Sequence, residues 1–521
     1  MQCSSLSKPR FFHEYFLQFT SKMPDQIAII SNNGQWTYAQ LAQQSEEYAK
    51  AMEDIGLPVG ERVILEFEPC PEAVALMIAC SIQGLVFIPV NPDSPQERLE
   101  SIITKTEAKL YIQKERVRSF PQYPQLINAY LKENTIITDS ASRPQDKRKN
   151  MKLLENNLVY IIFTSGSTGE PKGIMMSHGA VLSFFEGIVH FCDLPEQTRV
   201  GSISPLQFDF SIMDMGLTFG SGGTLVLVPH SLVYHPKRFL DFIEQQQVFQ
   251  MNGVPSIWKN ILQYASQNNV VNSHLNSILF GGEFFPIDDL RRIQSLFDLK
   301  RLINAFGQSE SIACSFKNIE TPIDQGVENL SVGSGIYNAE MLLIDEKGHL
   351  IEEPYITGEI YLRGSCLFSG YWRNEVLTKK RLVPSPLSPD SGEIVFQSGD
   401  LAYKDESGEF YFIGRSDHQV KILGNRIELE EVERRLLSHP DVSQVCIIVQ
   451  EESNSPQLHA FVQLHDHGDQ TKTTQNDLRR HCAETLPSYM LPAKFEFFET
   501  LPLNANGKVD RNALKRQLQT I

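Results

Sequence analysis

The sequence contains no uninterrupted run of 18 apolar residues, and its opening stretch, Met1 to Phe19, carries too many polar side chains for the apolar core of a secretion signal. A membrane-spanning helix and a leader are therefore not expected, and the chain reads as a soluble, cytoplasmic protein. Cysteine pairs are missing too. The eight cysteines, Cys3, Cys70, Cys80, Cys192, Cys314, Cys366, Cys446 and Cys482, are scattered along 521 residues without a C-x-x-C spacing, which excludes a disulfide scaffold and predicts reduced, mostly buried thiols. A basic excess is also absent. With 47 Lys and Arg against 63 Asp and Glu the formal net charge is −16, which argues against nonspecific nucleic-acid binding and against an anionic membrane surface. No internal repeat or low-complexity tract is evident. What is present, 41% hydrophobic and 21% charged residues, is an ordinary globular composition, and the length predicts two or more domains.

Periodicity gives the class. Phe11, Phe12, Tyr15, Phe16 and Phe19 recur at helical spacing from Phe11 to Met23, and Ala28 to Ile30 reads as a strand turning at Asn32-Asn33-Gly34 into Trp36-Thr37-Tyr38, a hairpin. A helix over Ala39 to Met52, a strand over Val63 to Phe67, a buried helix over Ala73 to Gly84 and a strand from Val86 to Pro89 then alternate, which is α/β patterning. The segment Tyr123 to Lys152, with its charged run DSASRPQDKRKN, reads as a surface loop.

Directly after that loop stands YIIFTSGSTGEPKG, Tyr160 to Gly173. Tyr160 to Phe163 suit a buried strand, and Gly166, Gly169 and Gly173 allow the backbone to turn tightly and bring amides close to an anion. The hydroxyls of Thr164, Ser165, Ser167 and Thr168 can donate to phosphate oxygens, and Lys172 adds a mobile positive charge. This is a phosphate cradle, but not the Walker P-loop: Lys172 follows Pro171 and precedes Gly173, where the Walker loop has the Ser or Thr that sits on magnesium.

Further motifs follow in order. Asn304-Ala305-Phe306-Gly307-Gln308-Ser309-Glu310 offers a flat ring, a hydroxyl and a carboxylate; Gln397-Ser398-Gly399-Asp400-Leu401 offers one carboxylate that can accept from two vicinal hydroxyls; Leu501 to Arg511 holds a lysine, Lys508, in an Asn-Gly-Lys turn. From Trp36 to Arg511 this series resembles the adenylate-forming enzyme superfamily, which includes acyl-CoA synthetases, luciferases and the adenylation domains of nonribosomal peptide synthetases. The chain looks like a freestanding amino-acid adenylation enzyme. The resemblance implies ATP and Mg²⁺ and no tightly bound organic cofactor. It assigns Thr164 to Gly169 and Lys172 to the phosphates, Asn304, Ala305, Phe306, Gly307 and Ser309 to the nucleotide, with Phe306 on adenine, Ser309 on the α-phosphate and Glu310 on magnesium. It assigns Asp400 to the ribose, with Arg415 reaching the ribose or a phosphate. Phe396 and Gln397 stand where the family usually has Tyr and Arg or Lys. Lys508 becomes the catalytic lysine, an ammonium placed between the oxygens that gather charge when a carboxylate attacks the α-phosphorus. Lys421 and Gly424 fall in the loop that lines the pantetheine tunnel. Glu430, where glycine is usual, leaves the start of the next helix open.

The fold so implied is α/β: a large N-terminal domain of mixed β-sheets layered with helices, residues 1–414; a hinge, 415–417, with Asp417 as pivot; and a small mobile α+β C-terminal domain, 418–521. Ten residues follow Arg511, so a fused carrier domain is not expected. The acid pocket maps by motif to Asp209, Phe210, Met213, Asn252, Leu279, Gly281, Ala305, Ala313 and Cys314. In amino-acid activators an aspartate at the place of Asp209 pairs with the α-ammonium; the alternative is that Asp209 caps a helix starting near Ser211. The pocket is small and mixed in polarity, compatible with proline, alanine or a threonine-like residue. The expected reaction is ATP-dependent activation of a small amino acid and transfer to the phosphopantetheine thiol of a carrier protein in trans. The alternatives are an acyl-CoA synthetase using free CoA and a catalytically silent nucleotide-binding module.

Overall fold

The computed structural model describes residues 8–139, 152–166, 170–268, 274–416, 419–422, 424–452, 455–465, 473–502 and 509–518. Ser167, Thr168, Gly169, Asp417 and Lys508 lie outside the described residues. The chain is α/β and forms a larger and a smaller compact unit, the first from Met1–Pro92, Thr106–Ile162 and Gly173–Ser416, the second from Asp93–Lys105, Phe163–Lys172 and Asp417–Ile521. The segments 93–105 and 163–172, read from sequence as part of the large domain, thus group with the C-terminal stretch.

The larger unit is built on three sheets. In the eight-stranded sheet the spatial order is Ser315–Ile319, Arg301–Phe306, Ser277–Gly281, Gln250–Gly253, Arg199–Ser202, Thr224–Leu227, Ile27–Ser31 and Gly34–Thr37. The six inner strands are parallel and the two edge strands antiparallel. Parallel strands need both faces covered, and the side chains divide accordingly. Leu279, Ile303 and Ala305 enter one apolar cluster with the helices, while Met251, Ile278, Phe280 and Leu302 enter a second one around Trp258. A seven-stranded sheet contains Arg62–Glu66, Val86–Val90 and Leu158–Thr164, and a five-stranded antiparallel sheet contains Gly358–Gly364, Ile394–Lys404 and Phe410–Arg415. The smaller unit is α+β: a hairpin of Gln419–Ile422 and Asn425–Glu428, helices Leu429–Leu437, Gln475–Ala483 and Arg511–Leu518, and a three-stranded sheet. Among the described residues no helix is long and apolar enough to cross a membrane. All seven described cysteines are buried, and none of them forms a disulfide among the described residues.

The expected hairpin at Asn32 to Gly34 forms between Ile27–Ser31 and Gly34–Thr37, and the following helix runs Tyr38–Ile55. Its start is fixed by a capping box of Thr37 and Gln40 and its end by Gly56 at φ 85°. Two expectations need correction. The first helix stops at Leu17 rather than Met23, and the chain continues in turns to Lys22. The stretch after Tyr123 is not all loop. Ile127–Lys132 and Thr135–Thr138 pair as a hairpin whose turn places Glu133 and Asn134 at φ 48° and 58°. The turn carries no glycine, and Asn134 is its single local marker. The charged run itself lies, beyond Asp139, outside the described residues.

Candidate active site

Four of the residues expected to line the acid pocket lie at the carboxyl ends of three neighbouring parallel strands. In register, Asn252 pairs with Leu279, Leu279 with Ile303, and Gly281 with Ala305. Paired residues share a face and so do residues two apart, so Asn252, Leu279, Gly281 and Ala305 form one patch, on the side where open α/β sheets bind ligands. Gly281 is required by close packing: a Cβ there would lie 2.4 Å from the carbonyl oxygen of Ala305. The helix Asp209–Gly220 supplies Asp209, Phe210 and Met213, and Phe210, Met213, Leu279, Ala305, Ala313 and Cys314 belong to one apolar cluster. Asp209 is 3% exposed. It is the first residue of the helix, and Phe208, whose side chain makes no capping bond, occupies the cap position. The helix begins two residues earlier than the capping alternative for Asp209 required.

Asn252 is wholly buried and held by other side chains. Its Nδ2 donates to Oδ1 of Asp214 at 2.9 Å, and its Oδ1 accepts from Nε2 of Gln250 at 2.8 Å. Asp214, also on the Asp209 helix, is buried, and its Oδ2 has no hydrogen-bond partner among the described residues. Burial pushes its carboxyl up to about 7, against the pull of the nearby Ser202 hydroxyl and the Asn252 amide.

The second nucleotide motif begins on the strand Arg301–Phe306 and continues as a buried turn, Gln308 to Ser311. Asn304 Nδ2 donates to the Ser331 carbonyl at 3.1 Å, and the Phe306 ring lies 5.5 Å from that of Phe412. Glu310 is fully buried, and its Oε1 accepts from the Tyr371 hydroxyl at 2.7 Å. Gln308 joins this motif to the ribose motif, its Nε2 donating to Oδ2 of Asp400 at 2.8 Å. Arg415 stands opposite Asp400 across paired strands, with Nη1 2.6 Å from Oδ1 of Asp400 and Nη2 donating to the Ser398 carbonyl at 3.1 Å. A carboxylate has about four acceptor sites, and these two donors occupy two of them.

In the smaller unit the described part of the phosphate loop is satisfied by carboxylates. Thr164 ends its strand; the Ser165 hydroxyl donates to the Arg426 carbonyl at 2.6 Å and accepts the Glu428 amide at 3.1 Å. The Gly166 amide donates to Oε2 of Glu431 at 2.9 Å, and Lys172 Nζ lies 3.3 Å from Oε1 of Glu428, which also meets Gln419. Arg98 balances the second carboxylate, Nη1 to Oε1 of Glu431 at 3.2 Å, with the two side chains 6% and 2% exposed. Burial raises the Glu431 carboxyl and Arg98 opposes it. Lys421 lies on the strand Gln419–Ile422 and Gly424 turns the hairpin at φ 74°, a conformation glycine adopts without strain. The following helix starts at Leu429, so Glu430 does not delay it.

A family model for the AMP-binding enzyme matches residues 16–372, and one for the AMP-binding enzyme C-terminal domain matches 431–508. The chain belongs to the AMP-binding enzyme family. The L-proline--[L-prolyl-carrier protein] ligase of Pseudomonas fluorescens is 30% identical over 523 residues, 98% of this chain and 100% of that protein. Bacitracin synthase 1 of Bacillus licheniformis is 29% identical over 508 residues, 97% of this chain and 9% of the synthase. The crystal structure of IdnL1 is 36% identical with a TM-score of 0.86, covering 95% of this chain and 100% of that one. As an AMP-binding enzyme with a ligase among its full-length relatives, the protein is an adenylate-forming ligase.

Several residues of this AMP-binding enzyme escaped the sequence reading. Asp214 had a signal, a single carboxylate inside an otherwise apolar helix, DFSIMDMGLTFG. Gln308 lay inside a motif but without a role. Tyr371, Arg98 and Glu431 had none, and neither did the contact of Glu428 with Lys172, since these pairs span at least 61 residues of chain.

Proposed function

We propose that the protein joins a small amino acid to AMP, releasing pyrophosphate from ATP, and then passes the aminoacyl group to the phosphopantetheine thiol of a carrier protein, releasing AMP. The observation that carries the amino-acid assignment is Asp209, a carboxylate 3% exposed at the head of the helix that lines the pocket face. An ammonium entering there meets an opposite charge in a weakly screened place. Similarity along the full length of a prolyl-carrier ligase supports the same reading. Proline, alanine and threonine-like amino acids are the candidates the pocket residues favour.

In the first half-reaction the amino-acid carboxylate attacks the α-phosphorus and pyrophosphate leaves. Gly166 and Lys172 receive the phosphates in place of Glu431 and Glu428, together with Thr164, Ser165, Ser167, Thr168 and Gly169. Phe306 offers its ring to adenine, Ser309 its hydroxyl to the α-phosphate, and Asp400 its carboxylate to the ribose, with Arg415 and Gln308 holding it. Among the described residues no three His, Cys, Asp or Glu side chains converge as a metal site. Buried Glu310, held by Tyr371, is a hard oxygen donor that fits magnesium only with phosphate oxygens completing the shell. Magnesium there would neutralise phosphate charge. Lys508 stabilises the charge gathered at the reacting oxygens. For the second half-reaction, residues 418–521 swing about Asp417 and the Lys421 to Gly424 turn admits the thiol arm.

Pyrophosphate–ATP exchange across amino acids and plain carboxylic acids, followed by loading of a phosphopantetheinylated carrier, tests this. Exchange with an amino acid and thioester formation on the carrier are expected; exchange with plain acids alone would overturn the role of Asp209.

A further inference from the structure

The pocket face includes one polar wall residue, Asn252, whose amide could in isolation point either way. Two neighbours decide it. Asn252 Nδ2 donates to Oδ1 of Asp214 at 2.9 Å, so the NH₂ of Asn252 faces the Asp209 helix. The Asn252 carbonyl then faces Gln250, whose NH₂ donates to it at 2.8 Å. Gln250 and Asn252 are two apart on one strand and so share a face, and all three side chains are fully buried. The Thr218 hydroxyl donates to the Asp214 carbonyl at 2.7 Å, tying the helix turn that carries the carboxylate. The hydrogen bonds thus run from Gln250 through Asn252 to Asp214.

This fixes the chemistry the wall can offer. With one N–H and one lone pair committed, Asn252 retains one N–H and one lone pair at set positions. We propose that Asp214, acting through Asn252 with Gln250 behind it, is a specificity-determining positioning residue: it holds the amide in one orientation and thereby sets the choice between amino acids whose side chains match in size and differ in polarity. The inference rests on the amino-acid reading of the pocket given above. Asp214 does not touch the reacting atoms in this scheme; its effect reaches the substrate through Asn252. A wall built to hydrogen-bond a hydroxyl discriminates strongly, because a mismatched side chain leaves buried polar groups unpaired, whereas a wall whose amide can turn does not.

The test uses the full-length protein in pyrophosphate exchange with two isosteric pairs, L-threonine against L-valine and L-serine against L-2-aminobutyrate. In Asp214→Leu the ratio of kcat/KM within each pair is expected to move by at least about tenfold, through the KM of the amino acid, with the KM of ATP unchanged. Asp214→Asn keeps an acceptor for the Asn252 NH₂ and should return the ratios to within about threefold of the wild type. If Asp214→Leu does not fold, Gln250→Leu removes the other hold and should move the ratios the same way by a smaller factor. Unchanged ratios in the folded variants, or an equal loss of kcat for all four amino acids that Asp214→Asn does not rescue, overturn the proposal. Wild-type exchange with none of a broad amino-acid panel would instead sink the amino-acid reading, and this inference with it.

Discussion

The acid face and the phosphate loop both keep polar groups in buried places, yet they satisfy them differently. On the acid face Asn252, Asp214 and Gln250 hold one another from a helix and a strand packed on one sheet. At the phosphate loop the Gly166 amide and the Lys172 ammonium are met by Glu431 and Glu428, from the opposite end of the sequence. Carboxylates and phosphates offer the same oxygen chemistry, so the second arrangement is exchangeable and the first is not. A fixed wall suits a group that must be discriminated; exchangeable partners suit one that must bind and leave.

The largest effect should come from a residue in neither region. Lys508→Ala is expected to slow adenylate formation by about 100- to 1000-fold while leaving the KM values of both substrates within a few-fold, read by single-turnover adenylation against exchange titrations. A comparable rise in either KM would reassign Lys508 to binding. Next, Asp209→Ala should lower kcat/KM for the amino acid by about 100-fold and leave ATP nearly untouched, because only the ammonium loses its partner. Equal losses for both substrates would mean that Asp209 supports the helix and not the ligand.

How much of this was legible follows the range of the interactions. The alternation of strands and helices, the hairpin at Asn32 to Gly34 and the chain order of the motifs are local patterns, and they stand as expected. The pocket patch was legible only through the family resemblance, which assigned Asn252, Leu279, Gly281 and Ala305 by motif, and strand register puts all four on one face. The Glu133-Asn134 turn was less so, since no glycine marks its left-handed backbone and Asn134 is its single local marker. The Arg98 to Glu431 pair was not legible at all, because nothing local connects residues 333 positions apart.

The exchangeable character of the loop can be broken from either side. Lys172→Ala should raise the KM of ATP by roughly tenfold, the scale of one charge-assisted contact to phosphate. Glu428→Gln should lower it by about threefold, since a neutral amide holds the Lys172 ammonium less tightly than a carboxylate and phosphate then displaces it more readily. Isothermal titration with a non-hydrolysable ATP analogue measures both. Weaker binding in Glu428→Gln would show that the carboxylate organises the loop for the nucleotide instead of holding its place.

The smallest effect tests whether the fixed wall is built at some cost to stability. The Asp214 carboxyl has an ordinary value of 3.8 and is pushed up to about 7 by burial. Between these values the folded chain keeps a proton that the unfolded chain has lost, so stability contributed at this site falls as pH rises through the window. Below about 4 both states hold the proton, and above about 7 neither does, so the contribution is flat at both ends. Asp214→Asn cannot ionise and lacks this slope. The difference in Tm between variant and wild type should therefore grow in the variant's favour from pH 4.5 to pH 7 and level off at pH 8, by a few degrees at most for a chain of this size. Because the difference is taken at each pH, buried carboxyls such as Glu431 and Glu433, which burial also raises, cancel. A constant difference would mean that Asp214 stays ionised throughout, with the Asn252 amide and the Ser202 hydroxyl outweighing burial, and the acid face would then be as well matched to charge as the loop.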